Sequence, residues 1–249
     1  STGVAQLTLP KKKVGDANFS AWTAIAREST VRVVGEVKTN AEAPNGIELI
    51  PTELEVLNAA ATPLPLGVVD RIESEIDTRL NARYLDLRRP DVAAHFHIRA
   101  AISGAVHEHL RREGFLEVQT PKIIASATEG GTSLFPVQYF DREAYLAQSP
   151  QLYKQILMSG GLDRVYEVGP AFRAEEHNTP RHLNEFISID IEMSWADDDD
   201  VMGVMERLVA SCASAVAQEA EALAALEMVP LEVELPLPRI TYDEAIEIA

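Results

Sequence analysis

The sequence predicts an α+β protein, a small β-barrel followed by an antiparallel sheet flanked by helices. Three observations carry this. Short apolar runs at 4–9, 47–50 and 54–57, with alternation at Val31, Val33, Gly35 and Val37, have the spacing of short barrel strands. An apolar stripe of helical period runs between Pro90 and Gly114. Two alternating stretches, 165–173 and 186–195, read as paired strands around a charged loop. The expected domains are 1–66 for the barrel, 67–89 for a linker and hinge, and 90–249 for the sheet and its helices.

In the first domain, Lys11, Lys12 and Lys13 form a basic run that fits either nucleic-acid phosphates or plain solvation. Thr62-Pro63-Leu64-Pro65-Leu66 reads as a stiff linker, and Arg79, Arg83, Arg88 and Arg89 cluster near the hinge, where tRNA contact or inter-domain ion pairs could each explain them. In the long helix, Pro90 suits the first turn, where its missing N–H costs nothing, and Gly114 suits the end. Val92, Phe96, Ile102, Val106 and Leu110 are its expected buried stripe. Ser149 and Pro150 start a further helix, with Gln151 and Lys154 three apart on one face. A cation there opposes the helix dipole by roughly 0.3–1 kcal/mol, so a bound anion is the expected compensation.

The strand pair holds the densest chemistry. Tyr166, Val168, Pro170 and Phe172 share one face, with Ile187, Ile189, Ile191, Met193 and Trp195 as their apolar counterparts. The opposite faces carry Glu167, Gly169, Ala171, Arg173 and Glu175 on one strand, and Phe186, Ser188, Asp190 and Glu192 on the other. Antiparallel pairing presents Arg173, Glu175 and Phe186 together over a floor of Gly169 and Ala171 that leaves room for a ligand. Arg offers a planar fork for phosphate, Glu accepts from an exocyclic amine, and Phe stacks on a base. A lone Arg-x-Glu would be read as a solvated ion pair on a surface hairpin.

The whole string Phe172-Arg173-Ala174-Glu175-Glu176-His177-Asn178-Thr179-Pro180-Arg181-His182-Leu183-Asn184-Glu185-Phe186 resembles motif 2 of the class II aminoacyl-tRNA synthetases. Gly114-Phe115-Leu116-Glu117-Val118-Gln119-Thr120-Pro121 resembles motif 1, which that class uses for dimer contact. Gln148-Ser149-Pro150-Gln151-Leu152-Tyr153-Lys154 and Thr128-Glu129-Gly130-Gly131 are similar to the amino-acid site of the aspartyl-tRNA synthetases, in their archaeal and eukaryotic-type branch.

The resemblance implies that Arg173 holds the ATP α-phosphate and contributes to the aspartate site, that Glu175 reads the adenine amine, and that Phe186 stacks on adenine. Arg181, His182 and Leu183 belong to the same ATP site, with Arg181 and His182 on the outer phosphates. Glu129 covers the aspartate ammonium, Lys154 binds its side-chain carboxylate, and Gln148 and Gln151 line the pocket. Gly114 and Pro121 mark the dimer contact. The implied fold is a partial OB-fold anticodon-binding barrel followed by a partial class II catalytic domain. The implied reaction is attack of the already ionised aspartate carboxylate on ATP, with Mg²⁺, followed by transfer to tRNA(Asp). Positioning and charge stabilisation suffice for the first step, Arg173 neutralising charge at the phosphorus.

Lys154 is also the expected discriminator against an asparaginyl enzyme. Facing a neutral amide, it would be left incompletely compensated, a loss of roughly 2–5 kcal/mol. An asparaginyl-tRNA synthetase or a tRNA-independent asparagine-forming paralogue remains the alternative, and a non-catalytic tRNA-binding module is the alternative of another class. Charging of tRNA(Asn) as well is left open.

Asp and Glu number 39 against 22 for Lys and Arg, a formal net charge of −17. Such acidity in a tRNA-binding family fits a halophilic source, where a Debye length of about 3 Å at 1 M salt screens repulsion. Residues 197–200 read as a solvated helix start rather than a metal site. His95/His97 and His107/His109, spaced by two, point to different sides of a helix, and no metal site is expected in the chain. Cys212 reads as a small core residue in a helix over 201–226. No signal peptide or long apolar run is present, so a soluble protein with no membrane partner is expected; a single cysteine, which allows no disulfide within the chain, fits a reducing cytoplasm, and the resemblance implies a homodimer. No Gly-rich segment ending in the Arg of motif 3 follows, so the catalytic domain is expected to be incomplete.

Overall fold

The computed structural model describes residues 3–68, 74–127, 134–177, 179 and 182–248, and they form two compact units, 1–86 and 87–249. In the first, β1 (Gln6–Leu7) runs parallel to β3 (Ile47–Asn58), and β2 (Thr30–Thr39) runs antiparallel to it, giving the order β1-β3-β2. The two apolar runs at 47–50 and 54–57 thus lie on one long strand, not two. Pro51 is tolerated inside it because β1 pairs with Glu48 and Leu49, and among the described residues no strand pairs with β3 on that side from Pro51 on. Gly35 is required opposite Pro51, where the register shifts: a Cβ there would lie 2.2 Å from the Ile50 carbonyl oxygen.

This sheet is not the closed barrel expected. Among the described residues β1 and β2 remain its two edges, and Val37 is 67% exposed, so the alternation at 31–37 does not mark a buried barrel face. The short helices α1 (Lys11–Val14) and α2 (Asp16–Thr23) precede β2, and Lys11 and Lys13 are paired with Asp16 and Glu36 at 3.4 and 3.7 Å. The stretch read as linker and hinge is folded in part: α3 (Ile76–Asn81) and α4 (Arg83–Asp86) bring Ala82 and Leu85 against Leu66, with Leu64 and Val68 alongside. Asp86 is fully buried and held by Arg79 at 2.9 Å and by Arg83, which keeps its carboxyl below the usual range. Arg89, by contrast, pairs with Asp91 at 3.0 Å.

The second unit starts with α5 (Pro90–Arg112), Pro90 at its first turn as expected. Its end is a Schellman motif: Gly114 at φ 83°, its N–H donating to the Arg111 carbonyl, and the Phe115 N–H to that of Leu110. Phe115 and Leu110 then meet in the core with Val106, Tyr166, Val204 and Leu208. Phe96 departs from the predicted stripe, at 50% exposed.

Next, β4 (Leu116–Glu117) lies parallel to β8 (Arg164–Phe172), and β9 (Glu185–Met193) antiparallel on its other side, so this sheet is mixed rather than purely antiparallel. A second sheet holds β5 (Ile123–Ile124), β7 (Arg142–Leu146) and β6 (Pro136–Tyr139), antiparallel in that order. Between the sheets in sequence lies α6 (Gln151–Ser159). After β9 come α7 (Asp198–Ala217), α8 (Ala220–Ala225) and α9 (Tyr242–Ile248), the expected 201–226 helix being divided near Gln218.

Asp197 caps α7 reciprocally with Asp200, at 3.0 and 3.2 Å, which gives the acidic run a structural task. Cys212 packs against the core, and burial pushes its thiol up. No described helix is long and apolar enough to cross a membrane.

Glu113 ties the end of α5 to α7. Its carboxylate accepts from Arg207 at 2.6 and 2.7 Å and faces buried His109 at 3.2 Å. The Arg207 hydrogen bonds hold the Glu113 carboxyl below its usual range, while burial lowers His109. A depressed carboxylate stabilises the fold above its unfolded value and loses that contribution as pH falls through the folded one. Arg207→Gln should therefore lower unfolding free energy by about 1 kcal/mol at pH 7. In urea titrations the difference should shrink as pH falls below about 4.

Candidate functional site

The β8–β9 register decides what the site contains. Tyr166 opposes Ile191, Val168 opposes Ile189 and Pro170 opposes Ile187 on the core side. On the other side Glu167 opposes Asp190, Gly169 opposes Ser188 and Ala171 opposes Phe186. The expected division of faces is therefore present, though Ile187 and Ile189 stay half exposed and Trp195 is 97% exposed.

Arg173 and Phe186 come together as expected, the guanidinium 5.4 Å from the ring centroid. Asn184 ties the two strand ends together: Arg173 N–H donates to the Asn184 carbonyl at 3.0 Å, and Glu175 N–H to the Asn184 side-chain oxygen at 3.2 Å. Glu175 is thus fixed two residues beyond Arg173. His182 is exposed, its ring 2.6 Å from the Thr179 hydroxyl and 6.1 Å, centroid to centroid, from His177. Leu183 lines, with Arg99, Glu185, Phe186 and Ile187, a cavity of about 600 Å³ that reaches Val168 and Ile189 on the apolar side. Glu129 and Arg181 fall outside the described residues.

Gln148 and Lys154 are both buried, at 1% and 4% exposure. Pro150 caps α6 while Ser149 accepts from Gln151 N–H at 3.3 Å, which places Lys154 one turn in. Its ammonium donates to Asp190 at 3.0 Å and to the Ile191 carbonyl at 3.2 Å, and lies 3.4 Å from Glu192. Ser188 donates to the other Asp190 oxygen. The counter-charges expected from a bound anion are therefore already supplied by two carboxylates of β9. This changes the argument for aspartate over asparagine: a neutral side chain beside Lys154 would leave no uncompensated charge.

Asp190 and Glu192 were legible on the polar face but not as partners of Lys154. The available signal was a cation in the first turn of one element and two carboxylates at i, i+2 on another. Glu167, 1% exposed, is a further group that the sequence reading left unused. A Cβ on Gly169 would stand 3.2 Å from its carboxylate, so the room above Gly169 is taken up by Glu167, at least in part. Gly114 closes α5 as described, and Pro121 is exposed just before β5. A hairpin with a cation over an aromatic ring, beside a buried Lys between two carboxylates, can hold a planar base at one end and a zwitterion at the other.

Comparison with known proteins bears on this geometry. A family model for class II tRNA synthetases (D, K and N) matches residues 75–249. An aspartate–tRNA(Asp/Asn) ligase of Archaeoglobus fulgidus is 56% identical over 248 residues, 99% of this chain and 58% of the relative. That of Methanopyrus kandleri is 54% identical over 249 residues, 99% of the chain and 58% of the relative. The chain thus spans somewhat over half the length of the curated relatives it matches.

Among solved structures, asparaginyl-tRNA synthetase from Pyrococcus horikoshii with asparaginyl-adenylate aligns with a TM-score of 0.86 at 35% identity, covering 100% of this chain and 57% of that one. Aspartyl-tRNA synthetase from Entamoeba histolytica aligns at 0.79 and 31% identity, covering 98% and 53%.

Removing the Lys154 ammonium should leave Asp190 and Glu192 facing each other without a cation. Lys154→Met is expected to cost about 3 kcal/mol in urea unfolding, and adding Asp190→Asn should recover part of that loss. Strictly additive losses would mean that the pair does not interact.

Proposed function

The chain belongs to the class II tRNA synthetases of the D, K and N group, and from that premise we propose that the whole protein is an aspartate–tRNA ligase. It activates L-aspartate with ATP to aspartyl-adenylate and transfers the aspartyl group to tRNA(Asp). The single observation that carries this reading is the identity of 56% and 54%, over nearly the whole chain, to relatives named aspartate–tRNA(Asp/Asn) ligases. That name also motivates the proposal that tRNA(Asn) is a second substrate. Lys154 alone does not exclude asparagine, since its charge is balanced without a ligand, and a neighbour aligned over the whole chain is an asparaginyl enzyme.

In this reading Arg173 meets the α-phosphate, Phe186 stacks on adenine and Glu175 accepts from its exocyclic amine. What supports it is the 5.4 Å approach of the Arg173 guanidinium to the Phe186 ring and the backbone clamp through Asn184. The aspartate lies toward Gln148, Gln151 and Lys154, with its ammonium toward the carboxylate side of the pocket, where Asp190 and Glu192 add to the role assigned to Glu129. Arg181 and His182 serve the outer phosphates, with Leu183 beside them.

Mg²⁺ belongs to the chemistry of the family. Among the described residues, however, no group of three carboxylate, imidazole or thiolate side chains is set to hold an ion, and no step is assigned to it. We read the three-stranded sheet of the first unit as part of an OB-fold anticodon-binding domain, the 114–121 segment as dimer contact, and the net charge of −17 as adaptation to a salt-rich cytoplasm.

The test is ATP–pyrophosphate exchange by the complete gene product with each amino acid in turn. Aspartate-dependent exchange is expected, together with charging of tRNA(Asp); exchange that depends on asparagine would instead establish the amide reading. Base stacking is worth about 1–3 kcal/mol, so Phe186→Ala should raise the KM for ATP roughly tenfold while changing that for aspartate far less.

A further inference from the structure

Glu167 is a buried carboxylate to which the site chemistry gives no task, yet it sits on the same face as Asp190, Gly169 and Ala171. Among the described residues it meets Thr120 and Lys122, on the segment that follows β4. One oxygen accepts from the Thr120 N–H at 3.0 Å and faces the Lys122 ammonium at 2.8 Å; the other accepts from the Thr120 hydroxyl at 2.7 Å. Lys122 also donates to the Thr120 hydroxyl at 3.2 Å. The side chain of Glu167 therefore replaces, beyond the two residues of β4, the backbone ladder that had tied this segment to β8 through Val118 N–H and the Tyr166 carbonyl at 2.9 Å.

The held segment then holds something else. The Lys122 carbonyl accepts from Ala147 N–H at 3.0 Å, and the Ala147 carbonyl accepts from Phe172 N–H at 3.0 Å. A closed ring of bonds leaves β8 at Glu167, passes through 120–122 and 147, and returns to β8 at Phe172. Ala147, 1% exposed, is clamped from both sides, and the next residues are Gln148, Ser149 and the start of α6 with Lys154.

We propose that Glu167 is a positioning residue for the amino-acid end of the site, acting through this ring on Gln148 and Lys154. The inference rests on the function proposed above. The nucleotide end has an anchor outside the ring, since Arg173 N–H bonds to the Asn184 carbonyl and Ala171 pairs with Phe186 on β9. Slackening the ring therefore displaces the aspartate contacts while leaving Arg173 and Phe186 in place. Gly169 belongs to the same device: a Cβ there would crowd the Glu167 carboxylate at 3.2 Å.

The test uses Glu167→Gln in the complete gene product, read by aspartate-dependent ATP–pyrophosphate exchange and by amide hydrogen exchange. Small misplacement of binding groups costs on the order of tenfold or more, so the KM for aspartate should rise by about that factor with the KM for ATP within about twofold. The Thr120, Ala147 and Phe172 amides should exchange faster, those of Tyr166 and Val168 unchanged.

Thr120→Val, which removes one hydroxyl and keeps the backbone bond, should show the same selectivity at about threefold, and serves if Glu167→Gln does not fold. Equal rises in both KM values, or unchanged kinetics with only a lower melting temperature, would overturn the proposal. If the unsubstituted protein shows no aspartate-dependent exchange, the proposed function fails on its own. The ring is then judged by the three amides alone, their unchanged exchange counting against it.

Discussion

A slip of one residue between β8 and β9 would turn every side chain of β9 to the opposite face. Isoleucines and methionine would then meet Lys154, and Asp190 and Glu192 would face the core. That register is the constraint on which the rest of the second unit depends. It is pinned from the core side, where Tyr166 and Ile191 pack with α5 and α7. It is pinned again from the site side, where Lys154 spans to Asp190 and Glu192. Packing and electrostatics select the same alignment, the one that brings Arg173 over the Phe186 ring. This agreement between levels is what gives a sequence a single native arrangement.

The second unit also shows how short pieces of regular structure are extended by side chains. β4 contributes only two residue pairs to the sheet. Beyond it the Glu167 carboxylate takes over the contact with Thr120, and a carbonyl on each of Lys122 and Ala147 passes it across to Phe172. Polar groups buried in this way are satisfied by one another, which is the condition for burying them at all. At the other end of the core, Glu113 does comparable work between α5 and α7, with Arg207 and His109 as its neighbours.

Local features were the ones legible in sequence. Pro90 and Gly114 bound α5 because their backbone constraints act on their own residues, and the alternation of 165–173 and 186–193 reads directly as two faces. Features that need two distant elements were not. Lys154 and Asp190 are 36 positions apart, so the carboxylates that meet the cation could not be read from spacing. Phe96 follows the helical period but lies beyond the reach of the core cluster, whose members on α5 are Ile102, Val106 and Leu110. In the first unit, strand spacing predicted strands but could not show whether a barrel closes, which is a property of edge pairing rather than of any one strand. The folded arginine segment was missed because Asp86, the residue that organises Arg79 and Arg83, carries no signal until α3 and α4 stand next to each other.

The most direct measurement of the account is competitive binding of two non-hydrolysable adenylate analogues, one carrying aspartate and one asparagine, to the complete protein by calorimetry. The aspartyl analogue should bind at least about tenfold more tightly, about 1.4 kcal/mol, with Phe186→Ala weakening both alike. Equal affinity for the two analogues, or a preference for the asparaginyl one, would contradict it.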